Sequence, residues 1–253
     1  MSDSDATLTP EAFIAELERE WGELGEIIPG PMPGEAHREE LAAAPTPLRL
    51  MWERFGFAGI AEGRFWICDP LEWREIAELW TDGLDIGLPE QRWTPVFRSA
   101  FGDLILLGST PGVLLWVGPH TASFRLMNMS EQYEDVPDTA DEAAIMLLSG
   151  FDDTSFPAFD PNGVPLFEQC EMLLGQLTHE TLYTFAPVPA LGGEPWAPNA
   201  LIEQAVPHHM LLHSLQGSSK SAPRVPVRPA MGGRNVLSGR WAQRSARGEG
   251  EAA

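Results

Sequence analysis

The chain has 253 residues, 43 % of them apolar, enough for one large domain or two modest ones. Its charge is unevenly spread. Residues 1–216 carry 35 acidic side chains against nine arginines and no lysine, whereas residues 217–253 carry seven basic side chains against two glutamates. A body of net charge −26 repels nucleic acid and anionic membranes and draws in basic proteins.

In chain order, Thr9-Pro10-Glu11 opens a helix that puts Phe13, Ile14, Leu17 and Trp21 on one face and ends at Gly22. Residues 25–47, with PGPMPG at 29–34, predict a long irregular connection with a helical turn near 36–43. The stretch 48–80 holds four of the nine tryptophans: Trp52, Trp66, Trp73 and Trp80. It predicts a helix with Thr46 as N-cap, Pro47 as its first residue and Gly56 as its stop. Gly56, Gly59 and Gly63 then mark a turn. A strand follows at Phe65–Cys68, and Asp69-Pro70 with Glu72 caps a second helix over 70–80. Residues 81–93 are a loop with Asp82, Asp85 and Glu90.

Strands are expected at 93–97, 103–107, 113–117 and 121–126. The short GSTPG turn between two of them implies an antiparallel meander. An acidic linker, 127–138, leads to a helix with a capping box from Thr139 to Glu142. Further on come a loop at 151–163, a helix at 165–177, a strand at 180–186 and a Pro/Gly loop. A last helix is expected over 200–215, capped by Asn199 and kinked or split by Pro207. Residues 217–253 lack apolar periodicity and read as a disordered basic tail. The fold class is α+β, with antiparallel sheets flanked by helices in two closely packed subdomains.

Chemistry-bearing patterns are weak. His209 and His213 share a helical face, but there is no HExxH glutamate, so a polar helix face is the simpler reading than zinc. Asp160-Pro-Asn162-Gly with Glu171 fails as a calcium loop, since Pro165 stands where glycine is needed. Asp152 and Asp153 are adjacent and point apart. Cys68 and Cys170 form no CxxC pair and fit buried thiols in a reducing compartment. No phosphate loop, dinucleotide fingerprint or nucleophile elbow occurs. The N-terminus has no secretory pattern, and no apolar run is long enough to span a membrane. The expectation is a cytoplasmic non-enzyme with no catalytic residue, cofactor or metal.

Two blocks carry a resemblance. WERFGFAGIAEGRFWICDPLEW with WTPVFRSAFGDLILLG resembles the GAD-like domain. PLFEQCEMLLGQLTHETLYTFAPVPALGG resembles the C-terminal domain that follows it in immunity proteins paired with type VI secretion DNase toxins. The second block matches at Pro165-Leu166-Phe167, Gly175, Leu177, Glu180 with Tyr183 to Pro187, and Leu191-Gly192-Gly193. The resemblance implies a GAD-like domain at 8–127, an immunity domain at 128–216 and an appended tail. It also implies a cytoplasmic binding protein that neutralises a cognate DNase toxin.

An acidic surface suits a basic nuclease domain and keeps nucleic acid away. The contact residues expected are on exposed acidic loops: Asp82 and Asp85; Glu131, Glu134 and Asp135; Asp152 and Asp153. Tyr133 and Trp196 are the expected aromatic anchors. The alternatives are a regulatory module with a non-nuclease partner and a metal-dependent hydrolase using His209, His213, Asp152 or Asp153.

Overall fold

Thr9 accepts a hydrogen bond from the Ala12 amide and starts α1 (Pro10–Glu23), whose buried face is Phe13, Ile14, Leu17 and Trp21. This computed structural model describes residues 8–121, 123–133 and 139–215. The connection contains α2 (Arg38–Ala43), and α3 (Thr46–Phe55) follows with Gly56 closing it. Thr46 is not the N-cap. Pro45 holds that position, and the orphan amide of Thr46 is accepted by Asp141 Oδ1 at 2.7 Å, 95 residues away.

A six-stranded antiparallel sheet comes next, in the order β1-β2-β3-β4-β5-β6. Its strands are β1 (Gly59–Ile60), β2 (Phe65–Ile67), β3 (Trp93–Ser99), β4 (Leu104–Gly108), β5 (Val113–Gly118) and β6 (Ser123–Asn128). The expected meander is present, extended by the β1–β2 hairpin. Gly59 is required by close approach: a Cβ there would lie 2.8 Å from the Trp66 ring.

Both sheet faces are covered, which explains why β4 and β5 are almost continuously apolar. Ile105, Leu107 and Leu114 face a core built with α1, α3 and α5 (Ala140–Leu148). Leu104, Leu106, Leu115 and Val117 face a second core with α4 (Arg74–Thr81) and α7 (Ala205–Leu215). This is the period-2 alternation of a strand, apolar on both sides. α4 starts later than Asp69 predicts. The Asp69 carboxylate caps the amides of Leu71 and Glu72, but the helix proper begins after that turn. At α5, Thr139 makes no side-chain capping bond, so the expected capping box is absent. Its acidic first turn is used instead by Asp141 to hold α3.

The remaining residues form α6 (Leu166–Leu174) and a two-stranded sheet of β7 (Thr181–Phe185) and β8 (Ala200–Gln204). The expected helix over 200–215 is therefore half wrong. Residues 200–204 pair with β7 from Phe185↔Ala200 to Thr181↔Gln204, and the helix starts only at Ala205. Pro207 falls in its first turn, where no intrahelical donor is needed, so no kink follows. Gly193, in the loop between these strands, packs so tightly that a Cβ would lie 1.7 Å from Pro187 O.

The tryptophan-rich stretch ties the molecule together. Trp52 belongs to the first core, Trp73 and Trp80 to the second, and Trp66 to a third with α6, β7 and β8. Across that junction lies Arg98 of β3, 1 % exposed. Its Nη2 donates to Thr178 O at 3.0 Å and His179 O at 2.8 Å. Its guanidinium lies 5.2 Å from the Trp66 ring centre and 5.7 Å from that of Trp73. Burial lowers its pKa to about 10, which still leaves it charged at neutral pH.

Candidate partner-binding groove

α4 is amphipathic. Ile76, Ala77 and Trp80 turn inward, so Glu75, Glu78 and the C-cap Asp82, spaced three and four residues apart, form an outward stripe. The loop after Thr81 then folds back, with Asp85 accepting the Gly87 amide at 3.0 Å and Ile86 buried as its anchor. Between α4, this loop, Trp93 and the end of α7 lies a groove of about 1000 Å³.

Its charged walls are Glu75, Glu78, Asp82 and Glu90. Its apolar lining includes Leu79, Leu84, Leu88, Trp93 and Met210, and His213 and Ser214 complete one side. Among the described residues no lysine or arginine lines it. Five of the body's nine arginines pair with carboxylates elsewhere: Arg19 with Glu16 and Glu23, Arg38 with Glu35, Arg54 with Glu18, Arg64 with Glu168 at 2.5 Å and Arg74 with Glu40. Among the described residues, none of the four groove carboxylates has an ion-pair partner within 4 Å.

The arrangement has an electrostatic cost. Glu78 and Asp82 are like charges one turn apart, at the negative end of the α4 dipole, and the last turn holds no basic residue. A cationic ligand relieves this repulsion. The apolar floor offers the same ligand dry contact. The groove thus combines uncompensated negative charge with an apolar floor.

Of the residues expected to meet a partner, Asp82 lines the groove, and Asp85 sits exposed on the same loop. The others do not join them. Glu131 is exposed in a 3-10 turn, and Tyr133 is half-buried beside Gly112. Asp152 is committed to its own loop, accepting the Thr154 amide at 2.9 Å and the Thr154 hydroxyl at 2.7 Å, while Asp153 is exposed. Trp196 is half-buried, its indole donating to Glu194 at 2.8 Å. Glu134, Asp135 and the basic tail lie outside the described residues. Glu75, Glu78 and the α7 wall of the groove were not singled out in the sequence, although the 75–78–82 spacing was available there.

The histidines are not on a polar helix face. His208 and His209 are buried, at 6 % and 0 % exposure. His208 Nε2 is hydrogen-bonded to Thr184 Oγ1 at 2.9 Å, and His209 Nδ1 accepts the Trp80 indole N–H at 3.1 Å. His213 packs edge-on against Trp80, with ring centres 5.2 Å apart. Among the described residues no three His, Cys, Asp or Glu side chains group as a metal site. Asp160 caps its own turn through the Asn162 and Val164 amides, both at 2.9 Å. Cys68 and Cys170 are free buried thiols; burial raises both, Cys170 to about 11, so neither is an activated nucleophile. Among the described residues no helix is long and apolar enough to cross a membrane.

The architecture is that of an α+β protein whose distinctive surface feature is an acidic groove. Residues 35–118 match the GAD-like domain family, a span that includes α4 and the groove loop but not α7. No curated protein matches the chain. The crystal structure of Atu4351 from Agrobacterium tumefaciens is similar in fold, with a TM-score of 0.64, 21 % identity, and coverage of 80 % of this chain and 87 % of that one.

Proposed function

We propose that this chain is a cytoplasmic immunity protein that binds and neutralises a type VI secretion DNase toxin, holding a basic, partly apolar segment of it in the groove. The observation that carries the reading is the groove itself: four carboxylates that have no cationic partner among the described residues, around an apolar floor, on a body of net charge −26. The resemblance of residues 165–193 to the second domain of DNase immunity proteins, beside the GAD-like match, is what favours a nuclease as partner. A nuclease must offer DNA a positive cleft or flank. A carboxylate-rich surface competes for that charge, speeds encounter and does not itself attract DNA. Neutralisation by binding needs no catalytic group on this chain.

The test is co-expression with the DNase toxin expected from a neighbouring gene, followed by isolation of the complex. Rescue of growth and a stable complex that both weaken in Glu78→Arg/Asp82→Arg support the reading. A demonstrably active toxin that neither binds nor is restrained overturns it. Capture of a basic partner without nuclease activity keeps the groove and overturns the nuclease assignment.

A further inference from the structure

We propose that the basic segment 217–253 docks in cis in this acidic groove and competes there with the partner. The helix α7 forms one wall of the groove through Met210, His213 and Ser214, and the described chain ends one residue later at Leu215. The next residues therefore start at the groove's rim. Their chemistry is what the groove lacks: Lys220, Arg224 and Arg228 alternate with Val225, Val227 and Met231. The segment as a whole has seven basic side chains against two acidic ones. Arg224 is nine steps along the chain from Leu215, a reach of up to about 30 Å at roughly 3.4 Å per residue.

Tethering makes weak docking sufficient. A short linker holds a segment at an effective concentration on the order of 1 mM, so a contact with a dissociation constant near that value is about half occupied. An occupied groove lowers the partner's apparent affinity in proportion to the fraction left open. That regulatory consequence rests on the groove being the partner site; the docking itself does not.

Lys220 is the chain's sole lysine, which gives a direct test on the full chain. A carbodiimide joins an amine to a touching carboxylate with no spacer. Because Lys220 is tethered close to the groove in any case, the decisive protein is Lys220→Arg/Arg228→Lys, which moves the amine outward and keeps the charge.

Expected at low ionic strength is an intramolecular cross-link from the relocated amine to Glu75, Glu78, Asp82 or Glu90. Its yield should be unchanged by dilution and fall at least about fivefold when salt rises from roughly 0.02 M to 0.5 M. Adding Glu75→Gln, Glu78→Gln, Asp82→Asn and Glu90→Gln should abolish the product rather than move it. Cross-links spread over carboxylates remote from the groove, such as Glu16 and Glu18 on α1, overturn the proposal, as do products that form only between molecules. That failure leaves binding of a separate partner in the groove untouched. Conversely, a groove that cross-links to the segment but binds no nuclease removes the functional reading alone.

Discussion

Mild acid should weaken this protein through histidines that fold in the neutral state. His208, His209 and His120 meet where β7, α7 and the turn after β5 converge, with the rings of His120 and His208 centred 6.0 Å apart. His209 accepts the Trp80 indole N–H on Nδ1, so its own proton sits on Nε2, turned toward the Gly102 backbone. Charging it would bury a cation among Trp73, Trp80 and the neighbouring Arg98. Burial, then the neighbouring histidines, hold its pKa well below 6.5. His208 is held at about 4 by burial and by His120, and His120 is lowered by burial.

In the unfolded chain each histidine titrates near 6.5. Between that pH and about 4 the unfolded state binds protons that native His208 does not, so unfolding becomes easier as pH falls. The stabilisation is complete above about pH 6.5 and is lost as the pH drops below it. The slope is about 1.4 kcal/mol per pH unit, so at pH 5 His208 alone removes about 2 kcal/mol, and His209 acts in the same direction. Most of that window lies above the ordinary range of carboxylates, so relief of the body's negative charge does not cancel the slope.

The assay is urea unfolding at pH 7.5, 6.5, 5.5 and 5.0 on the native chain and on His208→Gln/His209→Gln. The native chain should lose stability progressively below pH 6.5. The double variant starts lower but should show a much flatter pH dependence. Equal slopes in the two proteins would refute the reasoning.

Arg98→Ala should cost about 3–5 kcal/mol, because the carbonyls of Thr178 and His179 each lose a charged donor, typically worth about 1.5–3 kcal/mol. A change below about 1 kcal/mol in urea unfolding would show that the clamp is dispensable. Gly59→Ala forces a Cβ against the Trp66 ring and should cost about 1–3 kcal/mol while altering the near-ultraviolet dichroism of the tryptophans; an unchanged spectrum would contradict the contact. Asp141→Ala removes the acceptor for the Thr46 amide and should lower stability by about 1–2 kcal/mol, whereas Asp141→Asn, which keeps an acceptor oxygen, should lose less.

Much of the fold was legible because it is local. Phe13, Ile14, Leu17 and Trp21 declare α1 by spacing, and the Gly-Ser-Thr-Pro-Gly turn declares the β4–β5 hairpin. What was hidden depends on distant partners. Residues 200–204 became a strand because β7 offers a ladder, an outcome that their own composition, ALIEQ, does not force. Thr46 gave up the N-cap because an aspartate 95 residues away satisfies its amide. The burial of Arg98 depends on two backbone carbonyls near β7 that its own strand does not announce. The groove was half visible. Its loop was marked by Asp82, Asp85 and Glu90, but α7 reaches it only through tertiary packing against α4.

The central claim is that the groove's carboxylates recruit a basic nuclease partner. Exposed pairs contribute about 0.5 kcal/mol each, so neutralising Glu75, Glu78, Asp82 and Glu90 together should cost about 2 kcal/mol, roughly 30-fold in Kd. The most direct measurement is stopped-flow association with the nuclease domain across ionic strength. It compares the native chain, the groove-neutral variant and a control neutralised at Glu131 and Asp153. Slower association and a flatter salt dependence are expected for the groove variant alone. Identical kinetics in all three proteins would contradict the claim.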